Sequence, residues 1–165
     1  MPKHSRFRCP CYGGKTIITV MNEITKKIEK VSVSDLIAGV HLVYSIDKSK
    51  FIPLAHVAKI GTLKRIMVIR TVPVSEENPK RKSPLNDIYL TKNVRMLSQG
   101  RILRMRDVPG AEKLKIDPEP RYVLVTSDPE FIMVSGVAVQ TRGLESFESY
   151  LRRHDCNPSV EENLG

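Results

Sequence analysis

Three cysteines and four histidines carry most of the chemical reach of this chain. Two of the cysteines stand together as Cys9-Pro10-Cys11, directly ahead of Gly13-Gly14, and the third, Cys156, is distant in sequence. A thiolate is both a nucleophile and a metal ligand, and its neighbours decide which role it takes. As a metal site, Cys9 and Cys11 with His4 nearby have C-x-C spacing but no second pair, whereas a structural zinc needs four ligands. Neither a metal nor a cofactor is expected. As a nucleophile, Cys11 would need a base or a proton donor beside it. His4, His41, His56 and His154 are scattered at spacings that build no triad. For His41 and His56 the simpler reading is an exposed or strand-edge histidine. For Cys11 it is a small buried residue beginning a strand.

The elements that would position these residues are short strands. Thr16-Ile-Ile-Thr-Val20 is β-branched and follows the glycine pair. Val40 to Ile46, Ile52 to Ile60 and Lys64 to Val72 follow, the last two joined through Gly61-Thr62. Then come Asp87 to Thr91, Gly100 to Met105, Arg121 to Thr126, Phe131 to Val134 and Gly136 to Gln140. Runs rich in Val, Ile, Thr and Tyr, separated by Gly, Pro, Asn or Asp, predict an all-β fold. Val74 to Leu85 is rich in proline and charge and reads as a solvated loop. Leu144, Phe147 and Leu151 fall on one helical face, so a helix is expected from Gly143 to Arg153, ended by Asn157-Pro158. The tail Glu161 to Gly165 is expected to fray. Asp35-Leu-Ile-Ala-Gly39 is echoed by Asp107-Val-Pro-Gly110, which would turn one strand into the next twice over.

Composition bounds the function. A chain of 165 residues can bury about 70% of its unfolded surface and needs no staples. The odd, small cysteine count is not a disulfide framework, so intracellular (cytoplasmic) surroundings are expected. The basic amino terminus has no apolar segment behind it and is not expected to be a secretory leader. No apolar run approaches the length of a membrane span. The net charge is +9, but the basic residues are scattered and aromatics make up only 5%. Stacking platforms for single strands are therefore scarce, and nucleic acid is the least favoured partner.

Four blocks, in order, carry a resemblance. The first is Cys11-Tyr-Gly-Gly-Lys-Thr16-Ile-Ile-Thr-Val20. The second is Val31-Ser-Val33-Ser-Asp35-Leu36-Ile-Ala-Gly39-Val-His-Leu-Val43. The third is Ile88-Tyr-Leu-Thr91-Lys-Asn-Val94 followed by Gly100. The fourth is Tyr122-Val-Leu-Val125, then Phe131 to Ser135-Gly136-Val-Ala-Val139-Gln140-Thr141. Together they resemble the Hint (hedgehog/intein) superfamily across residues 9 to 142. Thr141-Arg142-Gly143 is similar to the variant found with von Willebrand A domains. The resemblance implies an all-β Hint fold of two related β subdomains in a horseshoe-like arrangement, with a short carboxy-terminal helix. The division is then a flank at 1–10, the Hint-type domain at 11–142, the helix at 143–156 and a tail at 157–165.

The resemblance also implies chemistry. Cys11 would attack the carbonyl of Pro10, with Thr91 contacting the scissile amide, and the partner would be the chain's own flanking polypeptide. Cys11 and Thr91 are the expected catalytic residues, in a monomer. Three positions depart from the family pattern. Val94 stands where a histidine protonates the departing nitrogen, and valine can neither donate nor accept a proton. Gln140 and Thr141 stand where His-Asn would be, so full splicing is not expected. A one-residue slip would instead make Gln140 the cyclising amide and Thr141 the acceptor hydroxyl. Ten residues precede Cys11, and Pro10 is a crowded acyl donor. A fragment of a longer precursor, and a descendant that keeps only the fold, both remain open.

Overall fold

The computed structural model describes residues 10–71 and 86–154. Its strands are β1 (Ile17–Asn22), β2 (Ile28–Ser32), β3 (His41–Ser45), β4 (Lys50–Pro53), β5 (His56–Ile69) and β6 (Ile88–Leu90). After them come β7 (Arg95–Ser98), β8 (Arg101–Arg104), β9 (Glu112–Thr126), β10 (Phe131–Val134), β11 (Val137–Gln140) and β12 (Arg142–Gly143), then the helix α1 (Leu144–His154). One sheet runs β2-β1-β3-β10-β11-β7-β8, with β4 paired to β3, and the other runs β12-β9-β5-β6. The fold is all-β with one carboxy-terminal helix, as expected.

Alternation along the strands sets the layers. Ile18 and Val20 of β1, Val43 of β3, Leu124 of β9, Ile132 and Val134 of β10 and Val139 of β11 join one core cluster drawn from both sheets. The smaller sheet buries its other face as well. Ala58 and Ile60 of β5 and Val123 and Val125 of β9 form a second cluster with Phe147 and Tyr150 of α1. Burying a side chain such as Phe147 contributes roughly 1.5–3 kcal/mol. The helix thus packs directly on the smaller sheet.

Several elements differ from expectation. Ile52 to Val72 was read as two strands joined at Gly61-Thr62. Instead β5 runs through Gly61, which has a φ of +68°, so the glycine bends one strand rather than ending it. The ladder between β5 and β9 shifts register across that bend and again between Leu63 and Arg65. Strands β2 and β7, and the first half of β9, were not expected. The loop at Val74 to Leu85, the stop at Asn157-Pro158 and the tail lie outside the described residues, as do His4, Cys9 and Cys156.

The echo between Asp35 and Asp107 is structural. Val33–Asp35 and Met105–Asp107 are both 3-10 turns, and Val33 and Met105 are buried. Around them the same backbone bonds recur. Val33 N–H donates to the Thr16 carbonyl as Met105 N–H does to Val94, at 2.8 Å each. Ser34 donates to Gly14 (3.1 Å) as Arg106 does to Lys92 (3.0 Å). Thr16 donates to Gly13 (3.1 Å) as Val94 does to Thr91 (3.2 Å). Gly13 donates to Tyr89 (2.8 Å) as Thr91 does to Cys11 (2.9 Å). Tyr12 and Leu90 pair antiparallel with each other at the centre. These bonds define an approximate internal twofold in which Cys11 matches Tyr89, Gly13 matches Thr91 and Thr16 matches Val94.

Candidate functional site

The segment after Pro10 slots between the end of β6 and the second half of β9. Tyr12 pairs with Leu90 on one side and with Tyr122 on the other. Tyr12 N–H donates to the Tyr122 carbonyl at 2.7 Å, and Tyr122 N–H returns a bond at 3.2 Å. Gly13 and Gly14 allow this close approach. A Cβ at Gly13 would stand 2.6 Å from Ile66 Cδ1, and one at Gly14 would stand 2.9 Å from the Tyr122 ring.

Cys11 and Thr91, the two residues expected at the site, are brought together. The Cys11 N–H donates to Thr91 Oγ1 at 2.8 Å. The Thr91 hydroxyl donates in turn to the Cys11 carbonyl at 3.2 Å, and Thr91 N–H donates to that carbonyl at 2.9 Å. The amide that would be cut therefore rests on Thr91. Strand β6 is fixed at its start by Asp87, which accepts the Thr71 N–H at 2.8 Å and the Thr71 hydroxyl at 3.1 Å. The Thr71 amide, its hydroxyl and Arg70 together hold the Asp87 carboxyl below the usual carboxylate range, despite partial burial. The Cys11 side chain is fully buried in the second cluster, under α1.

On the other side of the segment lies a cleft of about 420 Å³. Pro10 and Tyr12 form one wall, Asn93, Val94, Arg95 and Arg104 another, and Leu124, Gln140, Thr141, Arg142 and Ser146 close it. The start of the domain and the residues at 140–141 thus face one space. The Tyr12 hydroxyl ties the two ends together by donating to the Gln140 carbonyl at 3.1 Å. Burial pushes the Tyr12 phenol far up, so it keeps the proton it donates.

Position 94 carries a valine that is 1% exposed. Its twofold counterpart Thr16 accepts the Tyr89 N–H at 2.9 Å and donates to the Tyr89 carbonyl at 2.8 Å. Tyr89 is the counterpart of Cys11. Position 94 thus holds, on the Cys11 side, the place that Thr16 holds on the Tyr89 side, and it carries only methyl groups. Thr141 is 6% exposed, and its hydroxyl is engaged with the Thr126 hydroxyl at 2.6 Å and the Glu130 N–H at 3.0 Å. That engagement leaves it poorly placed as the acceptor that a register slip would require.

The histidines do not fill the gap. His41 is buried, not exposed, and its Nδ1 accepts the Ile37 N–H at 3.0 Å, which closes the turn before β3. His56 pairs with Val125, while Cys11 stands opposite Val123 through the Tyr12–Tyr122 bridge. Two strand spacings and two residues separate them, about 12 Å between Cα atoms, beyond a direct hydrogen bond. His56 Nδ1 is buried with no hydrogen-bond partner among the described residues, and its ring centroid lies 6.0 Å from that of Phe147. Among the described residues no group of three His, Cys, Asp or Glu stands together to hold a metal, and no helix is long and apolar enough to cross a membrane.

Sequence reasoning missed the roles of Tyr12, Arg95 and Arg104. The Gln99-Gly100 turn, with φ of +52° and +77°, is the signal that pairs Arg95 with Arg104 once β7 is recognised.

No protein-family profile matches the chain, and no curated protein matches it in sequence. In structure it is similar to a DnaB intein from Synechocystis sp. PCC 6803, with a TM-score of 0.52 and 14% identity, over 80% of this chain and 98% of that one. At that identity the likeness carries the fold alone. It does not extend to the variant associated with von Willebrand A domains. The all-β architecture is the Hint fold.

Proposed function

We propose that this chain is a self-processing domain of the intein and hedgehog type, acting at Pro10–Cys11 without full splicing. The Cys11 sulfur attacks the Pro10 carbonyl carbon, the carbon–nitrogen bond breaks, and the Cys11 nitrogen takes up a proton to leave as an amine. The Pro10 acyl group becomes a thioester, which water or a thiol then releases. The observation that carries this reading is the 2.8 Å bond from the Cys11 N–H to Thr91 Oγ1, which aligns the amide to be cut. The absence of an asparagine at 141 supports cleavage rather than splicing. Its substrate is its own flanking polypeptide.

A second reading is a catalytically inactive Hint-fold protein serving as an interaction or structural module. Val94 favours it, because a missing general acid costs about 10²–10⁴-fold in rate. One experiment separates the two. A reporter domain is placed ahead of residue 1 and the purified fusion is incubated with dithiothreitol or hydroxylamine. Release of the reporter at Cys11, abolished in Cys11→Ala, is the expected result. A fusion that stays intact for days at neutral pH sinks self-processing and leaves the inactive module.

A further inference from the structure

The cleft beside Pro10 is unusual in charge. Arg95 and Arg104 line it together, and they are direct cross-strand partners in the β7–β8 hairpin. Side chains of directly opposed residues project from the same face, and like charges placed so repel. Among the described residues the ion pairs are Lys48–Glu130 and Arg70–Asp87, so neither arginine is neutralised there. Arg142 adds a third guanidinium to the wall, held by Ser146 Oγ at 3.0 Å and over the Tyr150 ring. Among the described residues no aspartate or glutamate lines the cleft. Asn93, on the same wall, has its Oδ1 buried without a hydrogen-bond partner among the described residues.

From these contacts we infer that the cleft takes a small anion-bearing nucleophile, a thiol that carries a carboxylate or phosphate, as the acceptor of the acyl group. This rests on the self-processing reading for the transfer step, while the anion site itself does not. The arginine pair attracts the acidic group, since a cleft lined by one sign of charge concentrates counter-ions. A volume near 420 Å³ holds a molecule of that size. The transfer balances. The acceptor sulfur bonds to the Pro10 carbonyl carbon, the bond from that carbon to Cys11 Sγ breaks, and the proton lost by the acceptor thiol returns to Cys11.

The test uses the reporter fusion at low ionic strength. Cleavage rates are measured with 3-mercaptopropionate, 2-mercaptoethanol and cysteamine, in the parent and in a variant carrying Arg95→Gln and Arg104→Gln. Both arginines are exposed, so the variant is expected to fold, which circular dichroism verifies. The ratio of the mercaptopropionate rate to the mercaptoethanol rate is expected to fall about tenfold in the variant, and to fall in the parent as salt screens the site. A ratio indifferent to both changes overturns the inference while leaving self-processing intact. Should no thiol cleave the fusion, self-processing fails, and titration with inorganic phosphate decides the anion site. Saturable shifts of the Asn93 and Gln140 amide resonances, lost in the double variant, support it, and their absence overturns it.

Discussion

Replacing Val94 with histidine tests the reading of the site most directly. By the internal twofold, position 94 matches Thr16, which reaches the backbone of Tyr89, the counterpart of Cys11, at 2.9 and 2.8 Å; a longer side chain at 94 is expected to reach the Cys11 backbone from there. An imidazole there would protonate the nitrogen as it leaves Pro10. General acid catalysis of this kind contributes about 10²–10⁴-fold, which lowers the barrier by roughly 3–5 kcal/mol. The substitution also has a cost. Val94 is 1% exposed, and losing its burial removes about 1.5–2 kcal/mol. The larger ring does not have to be forced into a closed core, because Val94 borders a cleft of about 420 Å³. A net loss of about 1–2 kcal/mol is expected in urea denaturation.

The assay is the first-order rate of reporter release from the Val94→His fusion across a pH series. The acid form does the work, so the gain should be largest below the imidazole pKa and fade as pH rises through it. Adding Cys11→Ala should abolish the gain. A folded Val94→His protein that cleaves no faster than the parent at any pH refutes the reasoning. Position 94 then does not serve the Cys11 amide, or proton delivery is not what limits the reaction.

Two further outcomes follow from the same contacts. Thr91→Val keeps the shape of the side chain but removes the acceptor of the Cys11 N–H, which should cost about 1–3 kcal/mol in urea denaturation; an unchanged midpoint would show that the 2.8 Å bond is not holding the segment in place. Glu130 sits beside the Thr141 network. Burial pushes its carboxyl up, but bonds from Lys48 and Ser45 and the charges of Lys48 and Lys50 outweigh this and hold it below the usual range. A depressed carboxylate contributes stability that is full above its unfolded pKa and is lost as pH falls through the folded value. The acid limb of the parent's stability curve should therefore steepen below the ordinary glutamate range, and Glu130→Gln should flatten it. Parallel limbs in the two proteins would rule Glu130 out as the cause.

What was legible in the sequence and what was not divides along physical lines. The four blocks were legible because β-branched runs bounded by glycine leave few alternatives, and the meeting of Cys11 with Thr91 was what the resemblance implied. The Asp35 and Asp107 echo was legible as a spacing, although only the backbone bonds show that it marks a repeated unit. Strand β7 was hidden because Arg95-Met-Leu-Ser98 carries no β-branched or aromatic residue, unlike Phe131 to Val134 of the same length. The first half of β9 was hidden by Pro118 and Pro120, which remove ladder donors. The ladder absorbs them near its register shifts beside Gly61. The Leu144, Phe147, Leu151 stripe was read correctly as a helix, but Tyr150 shares the burial, and no pattern on α1 announces that it covers Cys11.

The twofold also explains why a histidine can be absent from position 94 without disturbing the fold. On the Tyr89 side, the residue at 91's counterpart is Gly13, which has no side chain to offer. The backbone of Tyr89 is therefore satisfied by Thr16. On the Cys11 side, Thr91 already accepts the amide hydrogen and bonds the carbonyl, so nothing at 94 is needed to avoid an orphaned backbone group. Valine there completes the apolar cluster while the Cys11 amide is answered by Thr91. Proton transfer and folding thus fall on different side chains at this site. The structure would persist unchanged through loss of the acid, and only a rate measurement, not a stability measurement, reports whether the thiol still acts.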